Sequence, residues 1–227
     1  MGIRITKEII TMKKLVSLLL ALVMVLGLAA CGGNAAPAPT EAPKAEAPAA
    51  PEAADPAAPD AAAPAEPVEF SGKLPAPFAI TSCGQSPGAT MLNVVAGQAG
   101  LTSVNDNAMT VEGLPADTKT LIITTGTSGK GMGAAGTDVN MELERCLALA
   151  EAAKKAGMLV CCAHVEGMSR RTDANDQASI DGILAIADVV LVIEDSDSDG
   201  FFTNYCNTNN LPLLKVPVAL NAAEVME

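Results

Sequence analysis

The sequence predicts an α/β domain of the three-layer kind, with a mostly parallel sheet of about five strands between two helical layers, Rossmann-like or flavodoxin-like. Three observations lead there. Short apolar runs rich in branched residues alternate with helical patterns from residue 78 onward. Those runs are continuous rather than alternating, as strands covered on both faces should be. The loops leaving them are rich in glycine and polar residues, and strand–helix alternation of this sort calls for right-handed crossovers into a parallel sheet.

The predicted strands are residues 78–82, 120–125, 158–163, 188–193 and 212–216. Helical patterns fill the gaps at 87–99, 140–156, 177–187 and 200–209. The second is the clearest: Met141, Cys146, Leu147, Leu149 and Ala153 form an apolar side, charged residues occupy much of the remainder, and Gly157 offers a C-terminal cap. The stretch between Leu101 and Thr118 breaks the alternation and is turn-rich, with a short edge strand expected at 108–111.

The chain divides by composition into three parts. Residues 1–30 read as an export signal, in which Lys13 and Lys14 precede an apolar run from Leu15 to Ala30. That run is shorter than the ~20 residues a membrane-spanning helix needs. Met12 is a more natural start than Met1. Residues 31–69 begin with Cys31 and continue as an Ala/Pro-rich acidic stretch lacking the apolar content to offset the entropy of ordering, so a disordered tether is expected. Residues 70–227 form the remaining part, of a length typical of one domain.

The box Leu28-Ala29-Ala30-Cys31 followed by Gly32 resembles the lipobox of bacterial lipoproteins. The resemblance implies lipid attachment at Cys31, membrane anchoring through that lipid, and an extracytoplasmic location.

From Phe70 onward nine Lys or Arg stand against eighteen Asp or Glu. Such an acidic domain lacks the basic balance of a nucleic-acid binder. Its five cysteines, Cys83, Cys146, Cys161, Cys162 and Cys206, are odd in number and show no C-x-x-C spacing, so neither a disulfide framework nor a zinc site is implied. The sequence implies no cofactor.

Ligands of open parallel sheets bind beyond the carboxyl ends of the strands, which directs attention to the loops there. In the loop from Gly126 to Gly136, Gly129, Lys130 and Gly131 suit an anion, since glycine lets backbone N–H groups approach a ligand and lysine supplies charge. The loop lacks the spacing and hydroxyl of a Walker motif; its alternative is a tight turn with Lys130 in solvent. Arg170 and Arg171 leave the same predicted edge and are suited to bidentate anion recognition, or else pair with neighbouring carboxylates. Convergence with Ser86, Lys130 and His164 would form a cationic pocket.

Two further chemistries are legible. Gly84-Gln85-Ser86-Pro87-Gly88 matches a G-x-S-x-G elbow, with His164 as partner and Cys83 as an alternative nucleophile near a helix N-terminus. Against it, Pro87 has no N–H to give an oxyanion, and Ser86 capping a helix that starts at Pro87 explains the same residues. Asp195, Asp197 and Asp199 followed by Gly200 carry the first half of a calcium loop, but the twelfth position is Cys206 rather than glutamate.

Thr81 to Gly88, Ser128 to Gly136, and His164 with Arg170-Arg171 together resemble a family of uncharacterised bacterial lipoproteins sharing a domain of unknown function. That resemblance implies an extracytoplasmic α/β domain and assigns no reaction. The sequence therefore favours a lipid-anchored module that binds a small anionic ligand and serves a transporter or other envelope protein. A hydrolase using Ser86 or Cys83 with His164 and a surface protein-interaction module are the alternatives.

Overall fold

The computed structural model describes residues 70–227. The expected export signal, the expected lipidation at Cys31 and the expected Ala/Pro-rich tether lie outside the described residues. Among the described residues no helix is long and apolar enough to cross a membrane.

Six parallel strands form one sheet: β1 (Phe78–Ser82), β2 (Ser103–Asn105), β3 (Thr120–Thr124), β4 (Leu159–His164), β5 (Val189–Ile193) and β6 (Leu213–Val216). Their order is β2-β1-β3-β4-β5-β6. The first five follow the flavodoxin-like sequence 2-1-3-4-5, and the reversal of direction falls between β1 and β3. Every residue of β1, β3, β4 and β5 is buried, which is why these strands read as unbroken apolar runs.

The helices are α1 (Gly88–Gln98), α2 (Gly129–Ala135), α3 (Val139–Lys155), α4 (Ala174–Leu184) and α5 (Phe201–Asn209). Alternate strand residues divide two cores. On one face Phe78, Ile80, Ile122, Cys161 and Leu191 pack with Leu92, Val95 and Ala96 of α1 and with Ala222 and Met226 at the C-terminus. On the other, Leu121, Ile123, Val160, Cys162 and Val190 pack with α3, α4 and α5 through Leu149, Ile183 and Phe202. Adjacent Cys161 and Cys162 thus enter opposite layers, as the pleat requires. Truncating a fully buried Leu121 or Ile122 to alanine would cost about 2–5 kcal/mol.

Local signals set the helix ends. Asp138 accepts hydrogen bonds from the N–H groups of Asn140 (2.8 Å) and Met141 (3.0 Å) to open α3, and Asp173 does the same for Asn175 and Asp176 to open α4. That cap places the start of α4 three residues before the sequence expectation. Gly136, in the left-handed region at φ 69°, closes α2.

Two expectations are corrected. The edge strand is Ser103–Asn105, not 108–111: it pairs with β1 through Phe78↔Ser103, and the amide of Asn105 donates to the Ile80 carbonyl at 3.0 Å. Residues 108–111 instead follow a turn in which Asp106 accepts from the Ala108 N–H, Met109 plugs the core, and Val111–Gly113 forms a 3-10 turn. The glycine-rich segment after β3 is also more regular than a loop, because Ser128 caps the short helix α2.

Candidate functional site

The loops leaving β1, β3, β4 and β5 meet at the carboxyl edge of the sheet, where they bind one another. The Ser128 N–H donates to the Gly84 carbonyl at 2.8 Å, and Gln85 forms an antiparallel bridge with Thr127 across the β1/β3 reversal. Gln85 sits at φ 58°, a strained region for a residue with a side chain, and its amide donates to Glu142 and to the Asn107 carbonyl. A crevice that holds ligands in other folds of this topology is here bridged by the chain itself.

Carboxylates from neighbouring elements occupy the backbone donors at this reversal. Glu142 of α3 accepts from the Gly84 N–H (3.2 Å) and is paired with Arg145 at 2.8 Å. Asp176 of α4 accepts from both the N–H and hydroxyl of Thr127 at 2.8 Å and from the N–H of Thr172 at 2.9 Å. Burial alone would raise the Asp176 pKa, but these donors hold it below the ordinary carboxylate range. Glu166 accepts from the Gly88 N–H at 2.9 Å, at the N-terminus of α1. The N–H of Gly126 goes to Ser179 and that of Gly131 to Ser128. The N–H groups of Gly126, Thr127, Ser128 and Gly131 therefore already have protein partners, and Lys130 is exposed on α2 with no ion pair among the described residues.

Ser86, Cys83 and His164 lie at this edge but are fully buried. Ser86 does not cap α1: its N–H donates to the Ser82 hydroxyl at 3.0 Å, and its own hydroxyl lies 3.4 Å from that oxygen. His164 is held by Thr125 (3.1 Å at Nδ1) and the Gly167 carbonyl (3.3 Å at Nε2), and it stacks on Phe202. A carbonyl can only accept, so Nε2 carries the proton and Nδ1 accepts from the Thr125 hydroxyl. Desolvation by burial lowers the His164 pKa, only partly opposed by the Gly167 bond, and the imidazole stays neutral. Cys83 is driven far the other way by its hydrogen bond with Cys146 and by burial, which keeps it a thiol. No hydrogen bond joins His164 to either Ser86 or Cys83.

The two arginines diverge. Arg171 forms a bidentate pair with Asp199 (2.7 and 2.9 Å) and lies over the Phe201 ring at 4.6 Å. Arg170 donates Nε to Glu166 at 3.0 Å and Nη1 to the Thr127 carbonyl at 2.7 Å, tying the β4 loop to the β3 loop. That tie needs glycine at 126, where φ is +96° and a Cβ would lie 2.7 Å from the Arg170 Cβ. Asp197 is engaged by Thr203 and Lys215, and Asp195 by the Met168 N–H. Among the described residues no group of three or more His, Cys, Asp or Glu is arranged to hold a metal.

Open space lies on the α1 side of this edge. A groove of about 510 Å³ runs past Met91, Val165, Ile193 and Leu220 and ends at Glu166, Ser169 and Arg170. Arg170 is its only cationic lining residue. Sequence reasoning singled out Arg170 but not Met91, Ser169 or the 218–220 segment. The signal was present in Pro217-Val218-Ala219-Leu220, an apolar run after β6 that leads into a 3-10 helix at Ala219–Val225.

The chain belongs to the domain of unknown function family DUF6305. The family model matches residues 75–227, nearly all of the described part. No curated protein matches the chain. Among solved structures, a candidate acylhydrolase from Bacteroides fragilis is similar at 9% identity over 67% of this chain and 71% of that one, with a TM-score of 0.30. So low a score carries no argument about chemistry.

Proposed function

We propose that this DUF6305 domain is a binding module for a small anionic ligand, held outside a bacterial membrane by lipid on Cys31. The observation that carries the reading is the groove at the carboxyl edge of the sheet, with Arg170 at its polar end. Arg170 makes one bond through Nε and one through Nη1, so Nη2 remains without a protein partner, and its side chain is 31% exposed. A partly desolvated guanidinium fixed by two bonds is pre-organised to accept a carboxylate or phosphate oxygen. Lys130, exposed on α2, is not among the residues that line the groove. A tethered module of this kind would hand its ligand to a transporter or another envelope protein.

Nothing in the geometry favours a hydrolase, since the buried Ser86, the protonated Cys83 and the neutral His164 do not form a nucleophile–base pair. The test is thermal unfolding of the full-length chain against small carboxylates and phosphates, because a ligand that binds only the folded state raises the midpoint. The expected result is a rise with at least one anion that Arg170→Ala abolishes; no rise with any of them would overturn the reading. Anchoring is tested separately by labelling cells with radioactive palmitate, where Cys31→Ser should remove the label.

A further inference from the structure

We infer that the ligand of this groove is an anionic amphiphile, a carboxylate at Arg170 carrying a straight alkyl chain that lies along α1. The inference rests on the binding reading above and adds the ligand class. A second trough of about 340 Å³, lined by Pro87, Thr90, Val94 and Val95, shares Met91, Ala219 and Leu220 with the first. The two adjoin along those shared residues, the first ending at Glu166 and Arg170 and the second lined by apolar side chains apart from Thr90.

Its walls carry apolar surface that the fold leaves in water: Val94 is 51% exposed, Val218 54% and Leu220 63%. At the polar end both Glu166 oxygens are already engaged, one by the Gly88 N–H and one by Arg170 Nε. The donor left for an incoming group is Arg170 Nη2, the Gly88 N–H at the start of the eleven-residue helix α1 being already bonded to Glu166. Charge at one end and an apolar trough beyond it fit a head and a tail. From Pro87 to Val95 the trough follows α1 for about 12 Å at ~1.5 Å per residue, the length of a medium alkyl chain.

Calorimetric titration of the full-length chain with straight-chain carboxylates from acetate to dodecanoate, below their micelle-forming concentrations, tests this. Full burial of a methylene is worth about fourfold in affinity, and an open trough covering about half of each should give roughly twofold per added methylene until the chain outruns the groove. Arg170→Gln should weaken decanoate about tenfold while leaving decanol unchanged. Val94→Asp and Leu220→Asp, at exposed positions, should flatten the length series without moving the thermal midpoint of the free chain. Affinity independent of chain length would overturn the amphiphile and leave the anion-binding reading standing. Decanol binding as well as decanoate would overturn the anionic head. Failure of every carboxylate and phosphate would overturn both proposals together.

Discussion

Replacing Asp176 by asparagine should unfold the chain at markedly lower temperature, and by an amount that depends on pH. In the native structure Oδ1 of Asp176 takes two bonds from Thr127 at 2.8 Å, and Oδ2 takes the Thr172 N–H at 2.9 Å and its hydroxyl at 3.2 Å. Asparagine preserves the shape and one oxygen, but its amide group must then face N–H donors across either Thr127 or Thr172. Losing a charged acceptor and leaving a buried donor without a partner costs about 3 kcal/mol in total. For a domain of this size that is a fall of roughly 6–12 °C in the midpoint.

The pH dependence follows from the lowered pKa of Asp176. A carboxylate whose pKa is depressed by folding contributes stability that is complete above its unfolded value, about 4, and is lost as pH falls through the folded one. The wild-type chain gives up this contribution in acid and the asparagine variant has none to give up, so the gap between their midpoints should be widest near pH 7 and narrow by about pH 3. Circular dichroism melting at both pH values measures it. A gap below about 3 °C at neutral pH, or one of equal size in acid, would refute the assignment of Asp176 as the ionised tie between the β3 loop and α4.

Within α2, two glycines of similar sequence context should respond in opposite directions. Gly133→Ala meets nothing within 4 Å and should raise stability by up to about 1 kcal/mol through helix propensity, whereas Gly131→Ala would drive a methyl into the Gln85 carbonyl and should lower the melting midpoint. The five cysteines of the described part are free and buried, and burial pushes even Cys206 up to about 11. Iodoacetamide at mildly alkaline pH should therefore leave all five unmodified in the native chain, as read by mass spectrometry, and modify all of them once denaturant is added; labelling of any one of them in the native chain would show that its site opens.

The strands were legible because their environment is uniform. A strand covered on both faces needs apolar residues at every position, and β1, β3, β4 and β5 meet that demand from end to end. The edge strand was misplaced for the complementary reason. Ser103-Val104-Asn105 has one neighbour and a half-exposed face, so its only apolar residue, Val104, is 46% exposed and carries no pattern. The start of α4 was missed although Asp173 was there to cap it, because Asn175, Asp176 and Gln177 diluted the apolar periodicity in the first turn.

At the site, the residue types were legible and their partners were not. Backbone N–H groups after β1 and β3 look like donors awaiting an anion when only the local sequence is considered. The carboxylates that occupy them arrive from far along the chain, Glu142 from 58 residues away, Asp176 from 49 and Glu166 from 78. No periodicity encodes such a return. Once the reversal between β1 and β3 is bridged by Gln85 and these three carboxylates, an external anion there would have to displace a charged group already fixed by hydrogen bonds. Arg170 Nη2 is a donor without a protein partner at that edge, and the open volume lies beside it, between α1 and the segment after β6. With the crevice closed by these bonds, the proposed site lies against the first helix rather than at the strand reversal.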